Sequence, residues 1–192
     1  MKLHLLRHGM TIANERRLYC GWSDPGLTEV GREQLLRLKE CCDYPDAANC
    51  EIISSGMRRT DETLQLIYGR AADRTIPDLR EMHFGSFEMR SYAELKDDAC
   101  YQAWIMDESG TVCTPGGESS AGFQGRVCAA ADALSQDAIV FCHGGVISAI
   151  MQHFFPEEGK DLYGWQPSNG CGYTVVLEGT HREYFPIPER QE

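Results

Sequence analysis

Positive charge is scarce in this sequence: 18 Lys and Arg stand against 29 Asp and Glu in 192 residues, a net charge of −11. Such a balance argues against nucleic acid or an anionic membrane as partner, and it requires that any anionic ligand be held by a local cluster of arginines. Long apolar runs are missing as well. None approaches the ~20 residues that span a bilayer, and no leader peptide precedes Leu3, so the protein is expected to work in the cytoplasm. Nine cysteines are present but none forms a C-x-x-C pair, and Cys41 and Cys42 are adjacent. Neither a disulfide framework nor a shared metal site fits that spacing. They read as reduced thiols, most of them small apolar residues, with Cys142 the clearest example. Linkers, low-complexity tracts and repeats longer than a few residues are lacking too, so a chain of this length is expected to form one domain.

What is present concentrates at the ends of apolar runs. Leu3-His4-Leu5-Leu6 stops at Arg7-His8-Gly9, and Ala138-Ile139-Val140-Phe141-Cys142 stops at His143-Gly144-Gly145. Each reads as a buried strand delivering a polar group at its carboxyl end, where open α/β sheets place ligands. Arg7 offers a planar fork for phosphate oxygens, and a neutral His8 offers a nucleophilic nitrogen. Gly9 keeps no side chain between an anion and the backbone amides. A lone strand-end histidine is most often structural. Two in one chain favour a facing pair of imidazoles.

Between them, Asn14 to Pro25 reads as a loop walling the site. Thr28 reads as the N-cap of a helix through about Cys41 with Leu35, Leu36 and Leu38 on its apolar face, and Cys50–Ser54 reads as a strand. After it, Ser54-Ser55-Gly56-Met57-Arg58-Arg59-Thr60 opens a helix carrying Thr63, Leu64, Leu66 and Ile67, an arginine-rich turn suited to an anion. Arg59 is the preferred ligand of the tandem pair. Glu81 lies between an apolar stretch and the turn Phe84-Gly85, a half-apolar setting in which a carboxyl can serve as an acid near neutrality; Glu118 and Glu15 are the other acidic candidates. Ser91 is expected to cap a helix carrying Leu95, Tyr101, Trp104 and Ile105, and Pro115–Ser119 to lead into one with Phe123 and Val127. Tyr173–Leu177 and His181–Phe185 read as a closing hairpin.

Phosphoryl transfer needs positive donors around three equatorial oxygens and an in-line nucleophile. Arg7, Arg59 and His143 can supply the donors, His8 the nucleophile and Glu81 the proton. This needs neither metal nor cofactor.

The pattern resembles the histidine phosphatase superfamily, also called phosphoglycerate mutase-like. Arg7-His8-Gly9 with Thr11 and Asn14 matches its R-H-G-x-T-x-x-N signature, and Ser55–Thr63 its S-x-L-x-R-A-x-x-T box with Arg59 as phosphate ligand. Glu81 with Phe84-Gly85 fits its acid box, and His143-Gly144-Gly145 its second histidine. The chain departs where Met10 replaces the usual Glu or Gln, Gly56 a Pro or Asp, and Thr60 an Ala. The resemblance implies a single α/β domain, a three-layer α/β/α sandwich with a mostly parallel central sheet. It implies catalysis by His8, Glu81, His143, Arg7 and Arg59, with substrate held by Arg7, Asn14, Gly21, Arg59, His143 and Gly144. The expected activity is metal-independent phosphomonoester hydrolysis of a small phosphorylated metabolite through a phosphohistidine. Glu81–Arg90 and Gly170-Cys171 are similar to the branch acting on α-ribazole 5′-phosphate. A phosphoglycerate mutase and a non-catalytic phospho-ligand binding protein are the alternatives.

Overall fold

Ala138–Cys142 forms a strand in which all five side chains are buried. A uniformly apolar strand is stable only with both faces covered, and this one lies inside a six-stranded sheet. A computed structural model describes residues 1–190. Along them run β1 Lys2–Arg7, α1 Ile12–Glu15, α2 Glu29–Cys41, β2 Cys42–Asp43, β3 Glu51–Ser54, α3 Arg58–Tyr68 and β4 Arg74–Thr75. There follow α4 Tyr92–Leu95, α5 Ala99–Ile105, α6 Ser120–Asp132, β5 Ala138–Cys142, α7 Gly144–Phe154, β6 Gly172–Glu178, β7 His181–Ile187 and β8 Glu189–Arg190.

The sheet order is β4-β3-β5-β1-β6-β7. The first four strands are mutually parallel, and the β6–β7 hairpin adds an antiparallel edge. Side chains alternate across a strand, so Leu3 and Leu5 join Val140 and Cys142 on one face, under Phe123 and Val127 of α6 and Val146 and Ile150 of α7. Leu6, Ile52, Ile139 and Phe141 take the other face, under Leu35 of α2 and Leu64 and Ile67 of α3. The result is a single α/β domain of three layers. No helix among the described residues is long and apolar enough to cross a membrane.

Several local expectations are corrected. Asn14 lies not in a loop but in the one-turn helix α1, because Thr11 and Asn14 form a capping box. The single helix expected after Ser91 is two, α4 and α5, since Asp98 accepts hydrogen bonds from the amides of Cys100 and Tyr101 and restarts the helix. On α2 only Leu35 of the three leucines is buried; Leu36 is exposed. Of the nine cysteines only Cys42 and Cys142 are buried, so most are not core residues.

Candidate active site

Strand register brings the two imidazoles together. Arg7 pairs with Cys142 across β1 and β5, and the ladder continues as His8 N donates to the Cys142 carbonyl at 3.1 Å. His8 and His143 therefore emerge side by side, with ring centroids 5.3 Å apart in an edge-on arrangement. His8 Nδ1 lies 2.7 Å from the Gly9 carbonyl oxygen. A carbonyl only accepts, so Nδ1 carries the ring proton and Nε2 keeps the lone pair. Burial first, then the Arg59 guanidinium, hold the His8 pKa well below its ordinary value; the Gly9 bond opposes them, and Arg7 adds a smaller downward effect. The ring is neutral at neutral pH, as a nucleophile must be.

The two guanidinium groups are held differently. Arg59, only 1% exposed, donates from Nη2 to the Gly21 carbonyl at 2.7 Å, from Nη1 to Ser23 at 2.9 Å and from Nε to His143 Nδ1 at 3.2 Å. Arg7 donates from Nη1 to the Pro167 carbonyl at 2.7 Å, while its buried Nε has no protein partner. An orphaned buried donor costs roughly 1–3 kcal/mol. Arg7 lines a cavity, and a ligand oxygen there would relieve that cost.

Glu81 comes from the segment before Phe84. Its Oε2 accepts from Gly145 N at 2.9 Å and its Oε1 from Met82 N at 3.0 Å. The carboxylate thus sits on the first turn of α7, where helix amides attract negative charge. A Cβ on Gly145 would lie 2.4 Å from Glu81 Oε1, so a larger residue there would displace the carboxyl from this position.

Arg7, His8, Asn14, Glu81, Gly144 and Gly145 share a cavity of about 300 Å³ with a set of aromatic side chains: Tyr19, Phe84, Trp104, Phe123 and Tyr163. Asn14 Oδ1 accepts from Thr11, which leaves its amide N–H groups for the cavity. Gly21 does not line it. Its N–H is directed to Glu88 and its carbonyl to Arg59, so it backs the arginine instead of meeting a ligand. His143 also differs from expectation, because both ring nitrogens are engaged by protein, Nδ1 by Arg59 and Nε2 by Ser55 Oγ at 2.9 Å. Glu118 is bound twice by Arg126, and Glu15 is exposed on α1. Neither lines the cavity.

One contributor has no local sequence signature. The Glu88 carboxylate accepts backbone N–H bonds from Gly21, Trp22, Ser23 and Phe84 at 2.9–3.1 Å. It thereby pins the strap whose carbonyls hold Arg59. Burial would raise the Glu88 pKa, but the four donors outweigh it and leave the group below its ordinary 4.5. A depressed carboxylate contributes stability above its unfolded pKa and loses it as pH falls through the folded value. The gap in Tm between wild type and Glu88→Gln is therefore expected to be largest at neutral pH and to close on acidification below 4.5. A gap that stays constant in a thermal-melt pH series would contradict the assignment.

Comparison with known proteins identifies the family of the fold. The family model for the histidine phosphatase superfamily (branch 1) matches residues 3–184. The adenosylcobalamin/α-ribazole phosphatase of Salmonella typhimurium is 33% identical over 189 residues, covering 93% of this chain and 92% of its own. The structure of the α-ribazole phosphatase from Shigella flexneri superposes with a TM-score of 0.82 at 27% identity, covering 99% of this chain and 97% of that one. A 2,3-bisphosphoglycerate-dependent phosphoglycerate mutase of Bartonella bacilliformis is 34% identical, but over 61% of this chain and 60% of its own. The chain belongs to branch 1 of the histidine phosphatase superfamily and is a phosphatase.

Proposed function

We propose that the protein is a metal-independent phosphomonoesterase acting on a small riboside phosphate, with α-ribazole 5′-phosphate its substrate. The observation that carries the reading is a buried neutral His8 with a free Nε2, under the charge of the Arg59 and Arg7 guanidinium groups, lining a cavity together with Arg7 and the Glu81 carboxyl. His8 Nε2 attacks phosphorus and the bond to the leaving oxygen breaks. Arg7 and Arg59 stabilise the equatorial oxygens. Glu81, entering the step protonated, gives its proton to the departing alkoxide and, now a carboxylate, takes one from the water that attacks the phosphohistidine. Inorganic phosphate leaves and His8 is restored. The aromatic part of the cavity suits a flat base, and offset or edge-on ring contacts there favour a nucleoside over a bare three-carbon acid.

The test is phosphate release from α-ribazole 5′-phosphate, p-nitrophenyl phosphate and 3-phosphoglycerate in the presence of a chelator. The guanidinium groups already supply the charge a divalent ion would bring, so activity is expected to survive chelation. The kcat/KM for the riboside phosphate should exceed that for 3-phosphoglycerate by about tenfold or more, equivalent to about 1.4 kcal/mol of transition-state discrimination. Interconversion of phosphoglycerates without phosphate release, or activity restored only by a divalent ion, would overturn the reading.

A further inference from the structure

The hydrogen bonds that lead away from His143 run in one direction only. A guanidinium can donate but not accept, so Arg59 Nε–H donates to His143 Nδ1. The proton of the neutral ring is then on Nε2, which donates to Ser55 Oγ at 2.9 Å. Ser55 Oγ lies 3.1 Å from Thr60 Oγ1, and Thr60 spends its own proton on the Met57 carbonyl at 2.6 Å. Ser55 must therefore donate to Thr60. The Ser54 hydroxyl, 3.0 Å from Thr60 on another side, donates to the Asp61 carboxylate and leaves that direction undisturbed. The chain runs Arg59 to His143 to Ser55 to Thr60 to the Met57 carbonyl. These four side chains belong to residues at most 1% exposed.

A serine hydroxyl beside an imidazole can serve either as donor or as acceptor. Arg59 sets the ring from the Nδ1 side, and Thr60 sets the serine from the other by taking the Ser55 proton. We propose that Thr60, through Ser55, fixes the tautomer of His143 with its proton on Nε2, and that Thr60 is thereby a positioning residue of the phosphoryl site. With alanine at position 60, Ser55 is free to turn its proton toward Nε2 and drive the ring proton to Nδ1. That nitrogen would then face the Arg59 Nε–H, donor against donor, and the guanidinium would shift from its place beside His8. Position 60 is where the resembled motif usually carries alanine, so the extra hydroxyl is a property of this chain.

The tautomer can be read in ligand-free protein, without reference to the reaction; the kinetic half rests on the function proposed above. Histidine-labelled protein is examined by long-range proton–nitrogen NMR, with the His143 signals identified by their loss in His143→Gln. Wild type should show Nε2 protonated and Nδ1 as an acceptor. In Thr60→Ala and Thr60→Val the two nitrogen shifts should converge or exchange, and Thr60→Ser should restore the wild-type pattern. In parallel, kcat on p-nitrophenyl phosphate should fall about three- to tenfold in the alanine and valine variants, the range one hydrogen bond supports, with KM little changed. A thermal melt checks folding, and Ser55→Ala breaks the same chain from its other side should a Thr60 variant not fold. A wild-type proton on Nδ1, or a wild-type pattern retained in Thr60→Val and Thr60→Ala, overturns the proposal. Shifted signals with kcat unchanged overturn the positioning role. A wild type without phosphatase activity but with the expected shifts refutes the function and leaves the tautomer assignment standing.

Discussion

His8→Ala is expected to abolish turnover, a fall on the order of ten-thousandfold or more, as is usual when a covalent nucleophile is removed. The loss cannot be traced to charge, since burial and two guanidinium groups keep the ring neutral. Nor can the neighbouring imidazole take over, because both nitrogens of His143 are already committed. What disappears is the free imidazole nitrogen on the cavity wall. Brief incubation of wild type with labelled substrate should leave a phosphoprotein that is stable to base and labile to acid. If the label survives in the His8→Ala protein, another residue is the nucleophile.

Glu81→Ala is expected to act through the leaving group. An alkoxide is strongly basic and needs a proton as its bond to phosphorus breaks, whereas p-nitrophenolate leaves unaided. The variant should therefore lose about a hundredfold or more in the phosphorylation of His8 by a riboside phosphate, within the usual span for a general acid, and much less with p-nitrophenyl phosphate. Because the same carboxylate would activate water, phosphohistidine should accumulate with the activated ester. Single-turnover kinetics on both substrates separates the steps. Equal falls in the two phosphorylation rates would mean that Glu81 only shapes the pocket. Glu118 is a poor replacement, since Arg126 binds both its oxygens.

The features legible in the sequence share one property: they are local. An apolar run ending in Arg7-His8-Gly9, another ending in His143-Gly144, and Thr28 ahead of a helix each declare themselves within a few residues. The capping box of Thr11 and Asn14 was equally local, yet two glycines and a proline nearby masked it as loop. The role of Glu88 could not be read at all. Its four backbone donors include residues 65–67 positions away, and an amide donor leaves no trace in residue identity. Gly21 misled for the same reason: position in a motif does not say where an N–H points. Thr60 was visible as a departure from a pattern, but the departure acquired meaning only with Ser55 and Met57 placed around it.

The neighbours of β1 carry a consequence for synthesis. β1 pairs with β5 and β6, and both lie more than 130 residues further along. While the chain is made from its amino end, β1, with Leu3, Leu5 and Leu6, has no partner until β5 has been made. Such non-local pairing is slow and leaves an unpaired apolar edge meanwhile. The two imidazoles meet only when that pairing closes. Phosphatase activity in this protein therefore requires that the β1–β5 pairing has closed, and a nascent chain that has not yet made β5 cannot bring the two imidazoles together.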